Sequence, residues 1–94
     1  MPYILVRHKV EDYAKWKPVF DEHGAARKAI GSKGGYLFRN IDDPNEVVMF
    51  IEVDDLEKAR QFVQSDDLRQ AMERSGVAGQ PDVNFLDLVD RPSA

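Results

Sequence analysis

Residues 46–53 read EVVMFIEV, which sets five apolar side chains in a row, Val47, Val48, Met49, Phe50 and Ile51, between two glutamates. A strand with one wet face alternates apolar and polar residues, so an unbroken run marks a strand covered on both sides. The stretch YILVRHKV, residues 3–10, opens the same way with Tyr3, Ile4, Leu5 and Val6. The fold must therefore shelter both faces of one sheet, and it has 94 residues with which to do so. A domain of this length removes only roughly 60–65% of its unfolded surface from water, so further burial against another molecule matters to it.

The rest of the chain supplies helices and two more strands. From Asp12, a natural N-cap, positions Tyr13, Trp16, Phe20, His23, Arg27 and Ile30 recur at spacings of three and four and define one stripe of a helix. Pro18 lacks a backbone donor and belongs in a first turn, which predicts a separate tight turn over 13–17 before the main helix. Gly31 is a stop signal, and SKGG, residues 32–35, reads as a flexible connection. Strands are predicted at 35–41 and 46–53, joined through Asp42, Asp43, Pro44 and Asn45 into a hairpin. Asp54, with Glu57 three residues on, has the spacing of a capping box for a second helix that buries Leu56, Ala59, Phe62 and Val63. Ser65, followed by Asp66 and Asp67, marks a fresh cap, so this helix breaks and resumes through Leu68, Ala71 and Met72 to Gly76. VAGQP, residues 77–81, is predicted as a linker to a last strand at 82–89, and residues 90–94 as a frayed tail.

Strand, helix, strand, strand, helix, strand is the order of the ferredoxin-like βαββαβ fold, an α+β architecture with two helices on one face of a four-stranded antiparallel sheet. The second apolar face then needs a cover, and the most economical one is the same face of a second copy. The expectation is one domain over residues 1–94 that forms a homodimer through its sheets. A net charge of −4, with 13 Lys and Arg scattered along the chain, argues against a nucleic-acid partner. EVVMFIEV also lacks the exposed basic and aromatic residues of an RNA-binding strand. The absence of cysteine excludes disulfides, thiolate metal sites and a cysteine nucleophile. No apolar run approaches the roughly 18 residues of a membrane span, and MPYILVRHKV lacks the pattern of a signal peptide, so the cytoplasm is the expected compartment.

Over residues 3–89 the chain resembles the dimeric α+β barrel superfamily, in which two ferredoxin-like subunits pair sheet to sheet. The resemblance rests on HKVEDYAKWKPVFDEH, on LFRNIDDPNEVVMFIEVDDLEKARQF and on SDDLRQAMERSGV. Within that superfamily it is most similar to small proteins related to antibiotic biosynthesis monooxygenases and to stress-responsive α/β-barrel proteins. The resemblance implies a pocket between sheet and helices in each subunit. It implies either a cofactor-independent, monooxygenase-like enzyme acting on a small aromatic or enolisable compound, or a noncatalytic small-ligand-binding or stress-related dimer.

The residues that can carry such chemistry are few. His8 and His23 are the only imidazoles, and with a reference pKa of about 6.5 either can take a proton near neutrality. Period two along the first strand puts His8 with Ile4, Val6 and Val10 on the side facing the helices. His23 follows Trp16 by two helical turns on the same stripe. Both histidines are catalytic candidates, against the plainer reading of half-buried residues with a backbone or carboxylate partner. Trp16 and Phe20 are candidate walls of a substrate pocket or simply core, and Tyr13, Tyr36 and Phe38 either extend that lining or seal the dimer seam. Arg39 and Asn40, on the predicted second strand, are candidate anion partner and hydrogen-bond donor; the competing reading is an intersubunit ion pair of Arg39 with Glu52 or Asp87. No metal or organic cofactor is expected: the two histidines lack metal-ligand spacing, and IDDPNE reads as a hairpin tip rather than a calcium loop.

Overall fold

The structure, a computed structural model, describes residues 2–94. Its elements run β1 (Pro2–Val10), α1 (Tyr13–Glu22), α2 (Gly24–Ala29), β2 (Ser32–Arg39), β3 (Glu46–Val53), α3 (Leu56–Val63), α4 (Asp66–Ser75) and β4 (Val77–Asp87). The strands form one antiparallel sheet in the order β2-β3-β1-β4, the ferredoxin-like arrangement, with the two apolar runs of β1 and β3 paired at its centre.

Cross-strand register shows how the two faces are used. Ile4 stands opposite Ile51, Val6 opposite Met49 and His8 opposite Val47, and this set lies beneath the helices. Val47 and Val53 are fully enclosed, and Trp16 and Ala59 come down onto them from the helical layer. The intervening residues, Tyr3, Leu5, Val48 and Phe50, face the other way, joined on that side by Tyr36, Phe38 and Leu86 of the outer strands. Tyr36 is 66% exposed, Phe38 49% and Leu86 39%. Among the described residues no helix covers this face, so the chain by itself leaves an apolar patch of the sheet uncovered, with Arg7, Lys9 and Glu52 at its edges.

Several local expectations need correction. The helix does not wait for Pro18. Asp12 caps it by accepting from the amide of Ala14 at 2.9 Å, and α1 runs on through Pro18, whose ring projects into solvent. The break comes instead at His23, where Gly24, a poor helix former, begins the short α2. SKGG is not a loose connection: Ser32 pairs with Val53, and a bulge separates it from the Gly35–Ile51 pair. A Cβ on Gly35 would lie 1.8 Å from the carbonyl oxygen of Phe50, so only glycine lets the two strands approach there. The second-helix cap is Asp55 rather than Asp54. The amide of Asp54 is committed to the Gly31 carbonyl at 3.1 Å, and the Asp55 carboxylate accepts from Lys58 N at 3.1 Å. Ser65 caps α4 as its sequence promised, accepting from the amide of Leu68 at 3.2 Å. VAGQP belongs to β4, with Val77 and Ala78 pairing to Val10 and Lys9 before a bulge. Among the described residues no helix is long and apolar enough to cross a membrane.

Candidate ligand cavity

A cavity of about 70 Å³ lies between the sheet and the helices. Val6, His8 and Met49 form its floor, Trp16, Phe20 and His23 one wall, and Phe62, Leu68 and Met72 the opposite wall. The lining is almost wholly apolar because the inward positions of β1 and β3 and the facing stripes of three helices meet there. A water needs roughly 10–15 Å³ of such space, so several fit, while ligand clefts for drug-sized molecules run about 300–1,000 Å³. At this size the cavity suits a fragment no larger than a small ring.

His8 is its one deeply buried polar group. The side chain is 6% exposed, and neither Nδ1 nor Nε2 has a hydrogen-bond partner among the described residues. Its ring meets the edge of Trp16 at 5.5 Å and 81°. Burial lowers the His8 pKa from its ordinary value, because the apolar surroundings disfavour the charged imidazolium and no carboxylate among the described residues reaches it. At neutral pH the ring is therefore neutral and offers one N–H and one lone pair, both unclaimed. Trp16 continues the wall by stacking on Phe20 at 4.9 Å, so these two belong to the core and to the cavity at once.

His23 occupies the α1–α2 break and reaches the same cavity from the other side. Its Nε2 lies 2.8 Å from Oδ2 of Asp67, in the first turn of α4, and its ring stacks on Phe62 at 5.6 Å. The carboxylate fixes that nitrogen as the donor. The two histidines thus share a cavity but differ in state: one is tethered to a carboxylate, the other free.

The remaining expected site residues are elsewhere. Arg39 lies on the helical side of β2 at the hairpin end, its guanidinium over the ring of Tyr13 at 4.1 Å and its Nε donating to the Pro44 carbonyl at 3.0 Å. Glu52 stands on the opposite face of the sheet from Arg39. Asn40 donates to the Glu46 carboxylate, which also accepts from Nη2 of Arg7 at 3.0 Å. The Asn40 bond first and the Arg7 bond second hold the Glu46 carboxyl below its usual range. Neither Arg39 nor Asn40 lines the cavity, because the hairpin tip needs both to satisfy its own polar groups. Tyr13 packs on Trp16 at 5.8 Å, outside the lining, while Tyr36 and Phe38 lie on the bare face.

Two residues at the site carry no functional signal of their own in the sequence: Asp67, which bonds to the lining residue His23, and Arg27, which lines the cavity itself. Asp67 looked like part of a capping cluster, and only tertiary packing brings it to His23. Arg27 sits on the apolar stripe of the first helical segment, an unusual place for a cation, and that position was its one visible signal.

No protein-family model matches this sequence, and no curated protein matches it. Solved structures do. A candidate antibiotic biosynthesis monooxygenase from Bordetella bronchiseptica superposes with a TM-score of 0.77 at 17% identity, covering 94% of this chain and 96% of its own. SnoaB, a cofactor-independent oxygenase from Streptomyces nogalater, gives 0.77 at 14% identity over 99% of this chain and 97% of that one. Rv0793 from Mycobacterium tuberculosis gives 0.68 at 14%, covering 99% and 100%. At such identities the likeness is one of fold: this chain has the ferredoxin-like α+β fold of the antibiotic biosynthesis monooxygenase structures.

Proposed function

We propose that the cavity binds a small aromatic or enolisable molecule and that the protein is a cofactor-independent, monooxygenase-like enzyme in which His8 is the base. The observation that carries this reading is a neutral imidazole lining an apolar cavity, with neither ring nitrogen hydrogen-bonded to any of the described residues. Leaving such a group buried without hydrogen bonds costs about 1–3 kcal/mol, which a core position has no reason to bear. A bound substrate satisfies both nitrogens. His8 takes a proton from an activated carbon, and the resulting enolate gives its electrons to dioxygen, forming a carbon–oxygen bond and a hydroperoxide. Loss of water then leaves a carbonyl, so that CH₂ plus O₂ becomes C=O plus H₂O. His23, held by Asp67, orients the substrate, and Trp16 with Phe20 keeps water away from the anion. The shared fold of SnoaB supports the same reading.

The apolar sheet face supports a homodimer. Four strands about 4.8 Å apart and roughly 26 Å long present on the order of 500 Å² in projection. With side-chain relief this nears the roughly 800 Å² per partner of a stable interface.

The near absence of polar groups favours one alternative, a noncatalytic holder of small apolar ligands. The two readings separate in D₂O without oxygen, with enolisable aromatic ketones as probes. The enzyme reading expects the wild type to exchange the activated C–H, then to consume oxygen when it is admitted, and expects His8→Leu to do neither. Binding without exchange or oxygen uptake would establish the holder instead.

A further inference from the structure

A second hollow of about 170 Å³ opens beside the cavity, against the bulged start of β2. Phe20, Arg27, Met49 and Ile51 line both spaces. Arg27 is the only charged residue among the four, and its guanidinium carbon lies 3.7 Å from the centre of the Phe20 ring. Among the described residues it makes no ion pair and no hydrogen bond, although Asp21 is near enough to influence it electrostatically. A half-buried guanidinium has five donors to satisfy, and stacking on an aromatic face satisfies none of them.

We infer that Arg27 is the anion anchor of this protein, and that the ligand is a small aromatic molecule bearing a delocalised oxyanion, carboxylate or enolate, whose ring fills the cavity while its oxygens reach the guanidinium. The inference rests on the cavity being a ligand site, as proposed above, and adds the ligand's charge. It transfers to Arg27 the role that the sequence suggested for Arg39. Volume agrees, since the two hollows together come near the lower end of the roughly 300–1,000 Å³ usual for a ligand site, which neither reaches alone. Chemistry agrees as well: the planar fork matches the two oxygens of a carboxylate, and partial burial shields that pairing from solvent. Burial already depresses the Arg27 pKa, the sign of a cation short of counter-charge.

The chain carries its own reporter, because Trp16 is its single tryptophan and lines the cavity. Benzoate and its neutral isostere benzamide are titrated against ¹⁵N-labelled protein while the one indole N–H resonance is followed. The wild type is expected to bind benzoate about tenfold more tightly than benzamide. Arg27→Met should erase that preference by weakening benzoate alone, and Arg27→Lys should keep part of it. Thermal midpoints of both variants are measured alongside. Equal affinity of the two probes for the wild type overturns the anchor and leaves the cavity reading standing. So does a preference that survives in Arg27→Met, or a loss of both affinities together with a lowered midpoint, the mark of a purely structural arginine. If neither probe moves the resonance, the cavity reading fails with it.

Discussion

Replacing His8 by leucine should make this protein more stable. Two contributions compete. Removing a buried imidazole with no hydrogen bonds relieves a desolvation penalty of about 1–3 kcal/mol, while losing its edge contact with Trp16 costs about 0.5–1.5 kcal/mol. The balance near pH 7.5 is a gain of about 1 kcal/mol, or roughly 4–8 °C in Tm for a chain of this size. pH gives an independent signature. The folded pKa of His8 lies below its unfolded value of 6.5, so above that pH neither state binds a proton and this residue contributes no pH dependence. Below it the unfolded chain protonates first and the native state loses stability. The slope is at most about 1.4 kcal/mol per pH unit, the limit for one proton, and vanishes once the folded pKa is passed. His8→Leu removes this component, so the advantage of the variant widens as the buffer is taken from pH 7.5 to 5.5. Urea unfolding followed by far-UV circular dichroism across that range measures both effects. A variant less stable than wild type at pH 7.5, or two stability curves that stay parallel on acidification, would refute the picture of an unpartnered neutral imidazole.

Three further outcomes follow from the same structure. Glu46→Gln should flatten the acid limb of stability, since a depressed carboxyl adds stability fully present above pH 4.5 and lost as pH falls through its folded pKa; urea midpoints between pH 5 and 3 test this. Tyr36→Glu combined with Phe38→Glu should shift sedimentation from dimer to monomer at micromolar concentration without loss of helical signal, because both side chains stand on the bare sheet face. Gly35→Ala should destabilise by about 1–3 kcal/mol or more in urea unfolding, because its methyl group would occupy the space of the Phe50 carbonyl.

What could be read from the sequence follows from the range of the forces involved. Alternation and helical spacing are local, so β3 was bounded correctly at 46–53, and the cap at Ser65 and the stop at Gly76 were visible in the residues themselves. The inward direction of His8 followed from counting by two along β1. The errors fell where long-range pairing overrides local preference. Ser32 and Val77 are drawn into strands by partners more than twenty and sixty residues away, against a run of glycines that argues for loops. Asp55 rather than Asp54 caps α3 because its carboxylate is the one that reaches the Lys58 amide, while the Asp54 amide bonds back to Gly31. At the site, composition indicated which residues can do chemistry but not which ones meet. His8 and His23 do, across the cavity, while Arg39 and Asn40 are held at the hairpin tip, and Arg27 was hidden as one more member of a stripe.

The shortness of α2 bears on what the protein admits. Six residues are too few for a helix to persist on its own, and none of these six is fully buried, so the segment depends on the stacking of Arg27 on Phe20 and on the flanking contacts of His23 and Ile30. It carries Arg27, and the break before it carries His23. The β-strands beneath are held by ladder hydrogen bonds along most of their length, whereas α2 is held chiefly by side-chain contacts. If the cavity takes the anionic ligand proposed above, discrimination among guests is then set by how each one's charge meets Arg27 as well as by the resting size of the chamber.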